Sequence, residues 1–384
     1  MRVGWAVVGT VVAAGGVVAG LGIFIAKSLT APTSGRTFDL TIRGLEGSGE
    51  RTIVVLDRTA HTVAPGRYCL ILENGGWARL SNDVVDRGPR LVGRAVEEPS
   101  GDLKAGDKAS WSGIVFSTPE EAGLDAMDVS IPTDVGPAPA WLIAPRGGPS
   151  TTWAIHIHGL GSPRAGTLRG VQVAEEAGLT SLVVTYRNDG KGPTVGTGRS
   201  ELGAAEVDDV RAAVRFARQN GANNIVLVGW SMGAAIALQL ANESEIRAIL
   251  KGLVLESPVL DWVSTIRANC ARAGLPAWTG GLALPWLNSR PLARLTGLPN
   301  PVPLRKFNWV ARADELTVPT LILHGTLDSS SPFEISSRLR ELRPDIVELE
   351  SFDADHTMSW NSDRHHWRAV LHAWLTSLTE VSLR

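Results

Sequence analysis

A short stretch in the middle of the chain, NNIVLVGWSMGAAIALQL at 223–240, constrains the fold more than any other. An apolar run at 225–228 leads directly into GWSMG at 229–233, and small helix-forming residues follow. A buried strand that turns at once into a helix needs small residues on both sides of the turn, because the two backbones pass close together. The stretch therefore predicts a strand, a sharp turn and a helix, with the hydroxyl of Ser231 projecting from the turn. Because the chain has 41 glycines in 384 residues, this spacing can also arise by chance, so its surroundings decide its meaning.

Strand and helix patterns alternate from about residue 120 to the C-terminus. The sequence predicts a hairpin at 127–145, strands at 151–159, 180–187, 224–229, 251–257, 319–325 and 346–352, and helices at 166–179, 201–221 and 367–378. This alternation favours a mostly parallel sheet with helices on both faces. The segment 261–313 is too long for a plain connection, so we expect it to contain helices of its own and to act as a cap.

Residues 36–118 have a different pattern. Short segments rich in β-branched and aromatic residues are separated by Gly, Pro or Asn, which predicts a small β-rich domain. We see no catalytic cluster in it, and its lone His61 is expected at the surface. Cys69 and Cys270 lie far apart in the chain without metal-binding spacing, so two buried free thiols are expected, with a disulfide between them as the alternative.

The surroundings of Ser231 contain the two further groups that a nucleophilic serine needs. A serine hydroxyl is a weak nucleophile near neutral pH and requires a base, which in turn requires an orienting acid. In a parallel sheet, ligands bind at the carboxyl ends of the strands. His356 follows the last predicted strand, and Asp328 follows the strand that ends at Gly325. The chain order Ser231, Asp328, His356 is the nucleophile–acid–base order known for such sheets, so these three residues are the predicted catalytic triad.

Other carboxylates compete with Asp328 for the role of the acid. Asp261 follows the strand after the nucleophile and would supply the acid in a variant arrangement. Asp353 and Asp355 flank His356, but they lie too close to it in sequence for a comfortable Asp–His geometry. The position at a strand end favours Asp328.

The tetrahedral oxyanion formed by an attacked acyl group needs two hydrogen-bond donors. The backbone N–H of Met232 follows the nucleophile directly, and that of Leu160 lies in the loop HGLGS at 158–162. We expect His158 to support this loop and His156 to be a core residue with satisfied hydrogen bonds. The loop is not a phosphate cradle, because no third glycine and no Gly-Lys-Ser/Thr sequence follows. The sequence predicts no metal site.

Four motifs, HGLGS, GWSMGA, HGTLD and DADH, each follow a predicted strand and occur in this order. Together they resemble the motifs of the α/β-hydrolase superfamily of serine hydrolases, over about residues 125–384. The chain is most similar to the membrane-anchored abhydrolase-domain branch and to dienelactone-hydrolase and prolyl-oligopeptidase-like catalytic domains. The segment 186–201, YRNDGKGPTVGTGRSE, departs from the Tyr-Arg-Gly-x-Gly form usual after this strand, which bears on the pocket and not on the triad.

The resemblance implies an α/β-hydrolase fold with a cap insertion. It also implies a serine hydrolase that cleaves carboxylic esters or related acyl bonds through an acyl-enzyme, without a cofactor. The substrate would be a small-molecule or lipid-like acyl compound. The alternatives are a peptidase of the prolyl-oligopeptidase type, an acyltransferase, and a catalytically inactive membrane-tethered scaffold. A net charge of −2 gives no indication of nucleic-acid binding, and the oligomeric state stays open.

The N-terminal segment 3–26 contains no charged residue. At about 1.5 Å per residue, a helix of this length crosses a hydrocarbon core of about 30 Å. The sequence therefore predicts a transmembrane anchor, with a cleaved signal peptide as the alternative. The resulting expectation is a single-pass membrane protein that uses the membrane as a partner and has its catalytic domain on the extracytoplasmic side. The balance of positive charges around the segment gives little support to either orientation.

Overall fold

The computed structural model describes residue 16 and residues 18–47 and 52–380. Two β-sheets organise this part of the chain. The strands of the first sheet lie within 40–112, and those of the second lie within 127–352. The second sheet carries the predicted catalytic residues at its carboxyl edge.

The first sheet contains seven antiparallel strands in the order β1-β7-β4-β5-β6-β3-β2. The strands are β1 (Leu40–Thr41), β2 (Gly44–Glu46), β3 (Ile53–Asp57), β4 (Tyr68–Leu72), β5 (Trp77–Asp86), β6 (Leu91–Ser100) and β7 (Lys108–Ser112). β1 and β2 are the outer strands of this order, yet only residues 42 and 43 separate them in the chain. The sheet must therefore curl until its two edges lie close together, around an apolar core that includes Ile42, Leu56 and Leu70.

The second sheet contains eight strands in the order β15-β14-β13-β12-β10-β11-β9-β8. The strands are β8 (Met127–Thr133), β9 (Gly136–Ile143), β10 (Thr152–Ile157), β11 (Thr180–Val183), β12 (Asn224–Trp230), β13 (Leu250–Glu256), β14 (Thr320–Gly325) and β15 (Val347–Phe352). β10 to β15 pair in parallel, whereas β8 and β9 form the predicted hairpin and join β11 in antiparallel fashion. The prediction of a mostly parallel sheet is confirmed.

Helices cover both faces of the second sheet. They are α1 (18–29), α2 (Leu168–Glu176), α3 (Glu206–Gln219), α4 (Met232–Ala241), α5 (Ser244–Arg247), α6 (Trp262–Arg272), α7 (Leu284–Asn288), α8 (Arg290–Thr296), α9 (Phe333–Leu342), α10 (Ser359–Ser362) and α11 (Arg364–Glu380). Successive residues of a strand point to opposite faces of a sheet. In β12, Ile225 and Leu227 pack into the core that contains α3 and α4, whereas Val226 packs into the core that contains α2 and α11.

The segment between β13 and β14 contains the helices predicted for 261–313. α6, α7 and α8 lie in it, together with short 3-10 helices at Ala277–Ala283 and Leu304–Phe307. Phe307 and Trp309 are almost completely buried, and the backbone N–H of Trp309 donates to the Leu260 carbonyl at 2.8 Å. The segment is therefore packed onto the sheet. The domain boundaries 36–118 and 125–384 stay a prediction.

The structure corrects the prediction for the N-terminus. Much of the predicted anchor, 3–26, lies outside the described residues, and the described part forms α1. Ile25 and Ala26 are buried in the core beside the second sheet, at 8% and 0% exposure. A Cβ on Gly22 would lie 2.8 Å from the indole nitrogen of Trp286, so α1 contacts the 261–313 segment directly. One face of α1, which includes Ile25 and Ala26, therefore packs against protein, whereas Phe24 is exposed.

In residues 16, 18–47 and 52–380, no helix is both long and apolar enough to span a bilayer. The prediction of a single-pass membrane protein with an extracytoplasmic catalytic domain is wrong on this finding. The predicted transmembrane helix and the membrane as a partner through it are likewise not supported. Hydropathy alone misled here because an apolar residue such as Ile25 is buried equally well against another protein surface.

Candidate active site

Ser231 lies between the end of β12 and the start of α4, at the predicted turn. Its backbone has φ 54° and ψ −114°, a conformation that L-residues adopt only under strain. A Cβ at Gly229 would lie 2.6 Å from the Cα of Ala234, and a Cβ at Gly233 would overlap the carbonyl oxygen of Ile157. Only glycine fits at these two positions, as the sequence predicted, and the tight turn holds the serine out from the sheet.

The structure brings the three predicted catalytic side chains together. The Nε2 atom of His356 lies 3.0 Å from the Oγ atom of Ser231, and its Nδ1 atom lies 2.8 Å from Oδ2 of Asp328. The Asp328 side chain is fully buried, whereas the His356 side chain is 18% exposed. Because an ionised carboxylate only accepts hydrogen bonds, Nδ1 of His356 carries the proton that it donates to Asp328. This leaves Nε2 free to accept the hydroxyl proton of Ser231.

A second histidine also contacts the Asp328 carboxylate. The Nε2 atom of the buried His324 lies 3.0 Å from Oδ2 of Asp328 and 3.0 Å from the carbonyl oxygen of Ser331, so this nitrogen carries a proton. The other carboxylate oxygen accepts the N–H groups of Ser330 and Ser331 at 2.9 and 2.7 Å. Burial acts to raise the pKa of Asp328, but the hydrogen bonds from His324 and His356 lower it well below its ordinary value. Sequence reasoning missed His324, although it lies within the HGTLD motif.

The competing carboxylates have other partners. The Asp261 carboxylate accepts the N–H groups of residues 263 and 264 at 3.1 and 3.2 Å and caps the start of α6. Asp355 accepts the N–H and the hydroxyl of Ser329 at 2.8 and 2.9 Å, and also the N–H of His356 at 2.7 Å. Asp353 is exposed. Of the four carboxylates considered, only that of Asp328 is hydrogen-bonded to the His356 ring.

The predicted oxyanion donors lie on two segments that converge at Ser231. A Cβ on Gly159 would lie 3.1 Å from the Cβ and 3.7 Å from the Oγ of Ser231, so the loop that contains Leu160 passes beside the nucleophile. Met232 is the first residue of α4. Within the described residues, neither the Leu160 N–H nor the Met232 N–H donates a hydrogen bond. Both groups are therefore free to bind an oxygen atom of a ligand.

Three buried side chains support the loop at Gly159. The Nε2 atom of His158 lies 3.0 Å from Oδ2 of Asp189, and its Nδ1 atom lies 3.0 Å from the Gly159 carbonyl oxygen. The Tyr186 ring stacks on the His158 ring at 4.3 Å, and its hydroxyl donates to the Gly159 carbonyl at 3.1 Å. Burial acts to raise the pKa of Asp189, but hydrogen bonds from His158 and from two backbone N–H groups bring it below its ordinary value. The unusual segment 186–201 thus supplies the acid that fixes this loop.

Arg169, on α2, contacts a residue next to Ser231 and a residue next to His356. Its guanidinium donates to the Glu256 carboxylate at 2.8 Å and to the Thr357 carbonyl at 2.8 Å, and it lies 4.7 Å from the centre of the Trp230 ring. Burial raises the pKa of the Glu256 carboxyl, against the lowering effect of Arg169. Arg169 also donates to the side chain of Asn361 at 3.1 Å. Sequence reasoning missed this group because an arginine on a helix is usually a solvated surface residue.

The described part of the chain shows no arrangement of side chains for a metal site. No group of three or more His, Cys, Asp and Glu residues there has an arrangement that would hold a metal ion. Cys69 and Cys270 are free and buried, so the prediction of two buried free thiols is confirmed.

His156 is buried as expected, with Nε2 3.1 Å from the Ser181 hydroxyl, but its Nδ1 atom has no partner in the described structure. Burial lowers the pKa of His156 to about 3.

Comparison with known proteins gives two regions of similarity. Residues 154–373 match the alpha/beta hydrolase family, and residues 41–112 match a domain of unknown function, DUF8805. No curated protein is significantly similar in sequence to this chain.

Solved structures of an esterase from Pyrococcus furiosus, Pf2001, are similar to this chain. Its crystal form in space group P212121 has 21% sequence identity and a TM-score of 0.52, and the match covers 68% of this chain and 94% of that one. The form in space group P21 has 20% identity and a TM-score of 0.52, over 69% of this chain and 97% of that one. At this level of identity, the likeness shows a shared fold.

Proposed function

The chain belongs to the alpha/beta hydrolase family, and from this premise we propose that it is a serine hydrolase of carboxylic esters or related acyl bonds. The observation that carries the proposal is the continuous hydrogen-bonded path from Ser231 through His356 to Asp328, with distances of 3.0 and 2.8 Å. The substrate is a small-molecule or lipid-like acyl compound. The esterase named among the similar structures supports the choice of an ester.

In the proposed reaction, the Ser231 hydroxyl attacks the acyl carbon while Nε2 of His356 takes its proton. The ester carbonyl oxygen becomes an oxyanion and accepts the N–H groups of Leu160 and Met232. The tetrahedral intermediate collapses, the bond to the leaving group breaks, and His356 returns the proton to the departing alcohol. Water then attacks the acyl-enzyme with the same base, which releases the carboxylic acid and regenerates Ser231. Asp328 holds the imidazole and stabilises its protonated form.

We also propose the domain organisation that accompanies this activity. A small β-rich domain at 36–118 precedes a catalytic domain at 125–384, whose cap lies at 261–313. The two regions of family similarity, 41–112 and 154–373, support this division. The separate sheets and separate apolar cores of the two regions support it as well.

A peptidase or an acyltransferase would use the same triad with another leaving group or another acceptor. The first sheet gives the peptidase alternative no particular support, since its seven strands make one curled sheet and not a propeller. Release of a chromophore from a proline-terminated dipeptide would favour the peptidase. Transfer of the acyl group to an added alcohol in preference to water would favour the acyltransferase.

The proposal is tested by treating the full chain with a fluorophosphonate probe, beside Ser231→Ala and the control Ser244→Ala. We expect the wild type and the control to be labelled and Ser231→Ala to stay unlabelled, because only an activated serine reacts. Ser244 is an exposed residue at the start of α5 and serves as a matched control. A folded wild type that is not labelled, or equal labelling of Ser231→Ala, would contradict the proposed role of Ser231.

A further inference from the structure

A cleft of about 710 Å³ opens between the first sheet and the candidate active site. Its lining includes Leu160, Trp230 and Thr357, of which the last two are the chain neighbours of the proposed nucleophile and base. Its outer wall comes from residues 111–114, at the end of β7, and from the segment 28–36 that follows α1. The cleft therefore lies next to the proposed nucleophile and base, where part of a bound substrate can extend into it.

The outer wall is anchored to the same residues that hold the catalytic loop. The side-chain amide of Asn361 donates to the carbonyl oxygens of Arg67 and Gly113 at 2.6 and 2.9 Å, and the Arg67 N–H donates back to the Asn361 carbonyl at 3.1 Å. Asn361 is 2% exposed. Its Oδ1 atom accepts from Arg169, which also binds the carbonyl of Thr357, next to the proposed base. The wall and the catalytic loop thus share one buried network.

The exposed charges on the cleft have one sign. Among the described residues that line it, the cations are Arg36 and Lys191, and the only carboxylate is that of Asp189. The Asp189 side chain is 3% exposed, and His158 and backbone N–H groups already occupy its oxygens. Arg36 and Lys191 are exposed, and within the described structure neither side chain forms an ion pair or a hydrogen bond. The exposed charged side chains of the cleft are therefore two cations without a direct ion-pair partner.

We propose that this cleft selects acyl substrates whose acyl chain ends in a carboxylate, and that Arg36 and Lys191 determine this selectivity. The inference rests on the proposed function and adds to it the class of acyl group. A cleft lined by charges of one sign raises the local concentration of substrates of the opposite sign. Exposed ion pairs are worth little individually, so each cation should change the specificity about threefold, and both together about tenfold.

The test compares two para-nitrophenyl esters with the full chain. One is the mono-ester of adipic acid, and the other is its neutral isostere, in which an isopropyl group replaces the carboxylate. The variants are Arg36→Gln, Lys191→Gln and the double variant, with Lys104→Gln as the control. Lys104 is exposed on the first-sheet part of the chain and does not line the cleft. The rate without enzyme is subtracted, because the free carboxylate catalyses some cleavage of its own ester.

We expect the wild type to prefer the adipate ester in kcat/KM at low ionic strength. Each single variant should lose about threefold and the double variant about tenfold for the adipate ester, with kcat/KM for the neutral ester unchanged. High salt should reduce the difference, because it screens exposed charges. The control should behave as the wild type for both esters.

Two failures are distinguishable. Equal kcat/KM of the wild type for both esters, or an equal loss for both esters in the double variant, would overturn the inference while leaving the proposed function intact. A folded wild type that cleaves neither ester would contradict the proposed function, and the inference with it.

Discussion

Replacing His156 with glutamine should remove an acid sensitivity that strand β10 gives to the fold. The His156 ring is fully buried, and burial lowers its pKa to about 3. An exposed histidine of the unfolded chain has a pKa of about 6.5. Between these values the unfolded chain binds a proton that the folded chain does not bind, so stability is lost as the pH falls below about 6.5. Glutamine keeps a hydrogen-bonding group near Ser181 but does not titrate in this range.

The expected loss follows from the two pKa values. Each pH unit below the unfolded value costs about 1.4 kcal/mol until the folded pKa is approached. From pH 7.5 to pH 5.0, His156 should therefore reduce the free energy of unfolding by about 2 kcal/mol. Because the folded pKa of about 3 lies well below pH 5.0, this figure depends almost entirely on the unfolded value.

The assay is urea unfolding of the wild type and of His156→Gln at several pH values between 7.5 and 5.0, followed by tryptophan fluorescence. The difference in unfolding free energy between the two proteins should shift by about 2 kcal/mol in favour of the variant as the pH falls. His61→Gln, which removes an exposed histidine from the first-sheet region, measures the effect of losing an imidazole outside the core. Parallel pH dependences of the wild type and His156→Gln would refute the reasoning.

Three further predictions concern the site and its support. Gly233→Ala should prevent correct folding of the turn and abolish probe labelling, because its Cβ would overlap a backbone carbonyl. The control Gly281→Ala, with no atom within 4 Å of its Cβ, should lower neither the melting temperature nor the labelling. Asn361→Ala should lower the free energy of unfolding by about 2 kcal/mol, because two partly buried carbonyl groups lose their donor. Unchanged urea unfolding would contradict this prediction. Asp328→Asn should lower kcat by about four orders of magnitude with the fold intact, since the His356 ring loses its orienting acceptor; a loss below tenfold would argue against the role of this acid.

The predictions that depended on backbone geometry agree with the structure. The spacing of the two glycines around Ser231 reflects the contact of β12 with α4, and local sequence encodes that contact. The strand-end positions of Asp328 and His356 follow from the order of strands, because parallel strands end at one edge of the sheet. The sequence was therefore sufficient to predict which side chains meet there, although the catalytic roles stay a proposal.

The features that the sequence did not predict depend on long-range packing. Arg169 is separated from Asn361 by 192 residues and from Glu256 by 87 residues, and nothing in the local pattern of α2 indicates either contact. Asn361 belongs to no motif in the sequence, yet its side chain joins the first-sheet part of the chain to the second. The apolar run at the N-terminus was misjudged for a related reason, because hydropathy does not show which apolar surface a helix will meet.

The position of α1 has a practical consequence for where a recombinant chain is started. A start placed after residue 32 would remove a helix whose Ile25 and Ala26 fill part of the core, and would uncover the apolar surface beneath them. It would also remove the Lys27 carbonyl, which accepts from Arg199 at 2.7 Å, and several residues of the cleft wall. Such a shortened enzyme would lose activity although Ser231 is intact, because part of its core would be exposed and part of the cleft wall would be missing. Enzymological work on this protein is therefore best begun with the N-terminal helix retained.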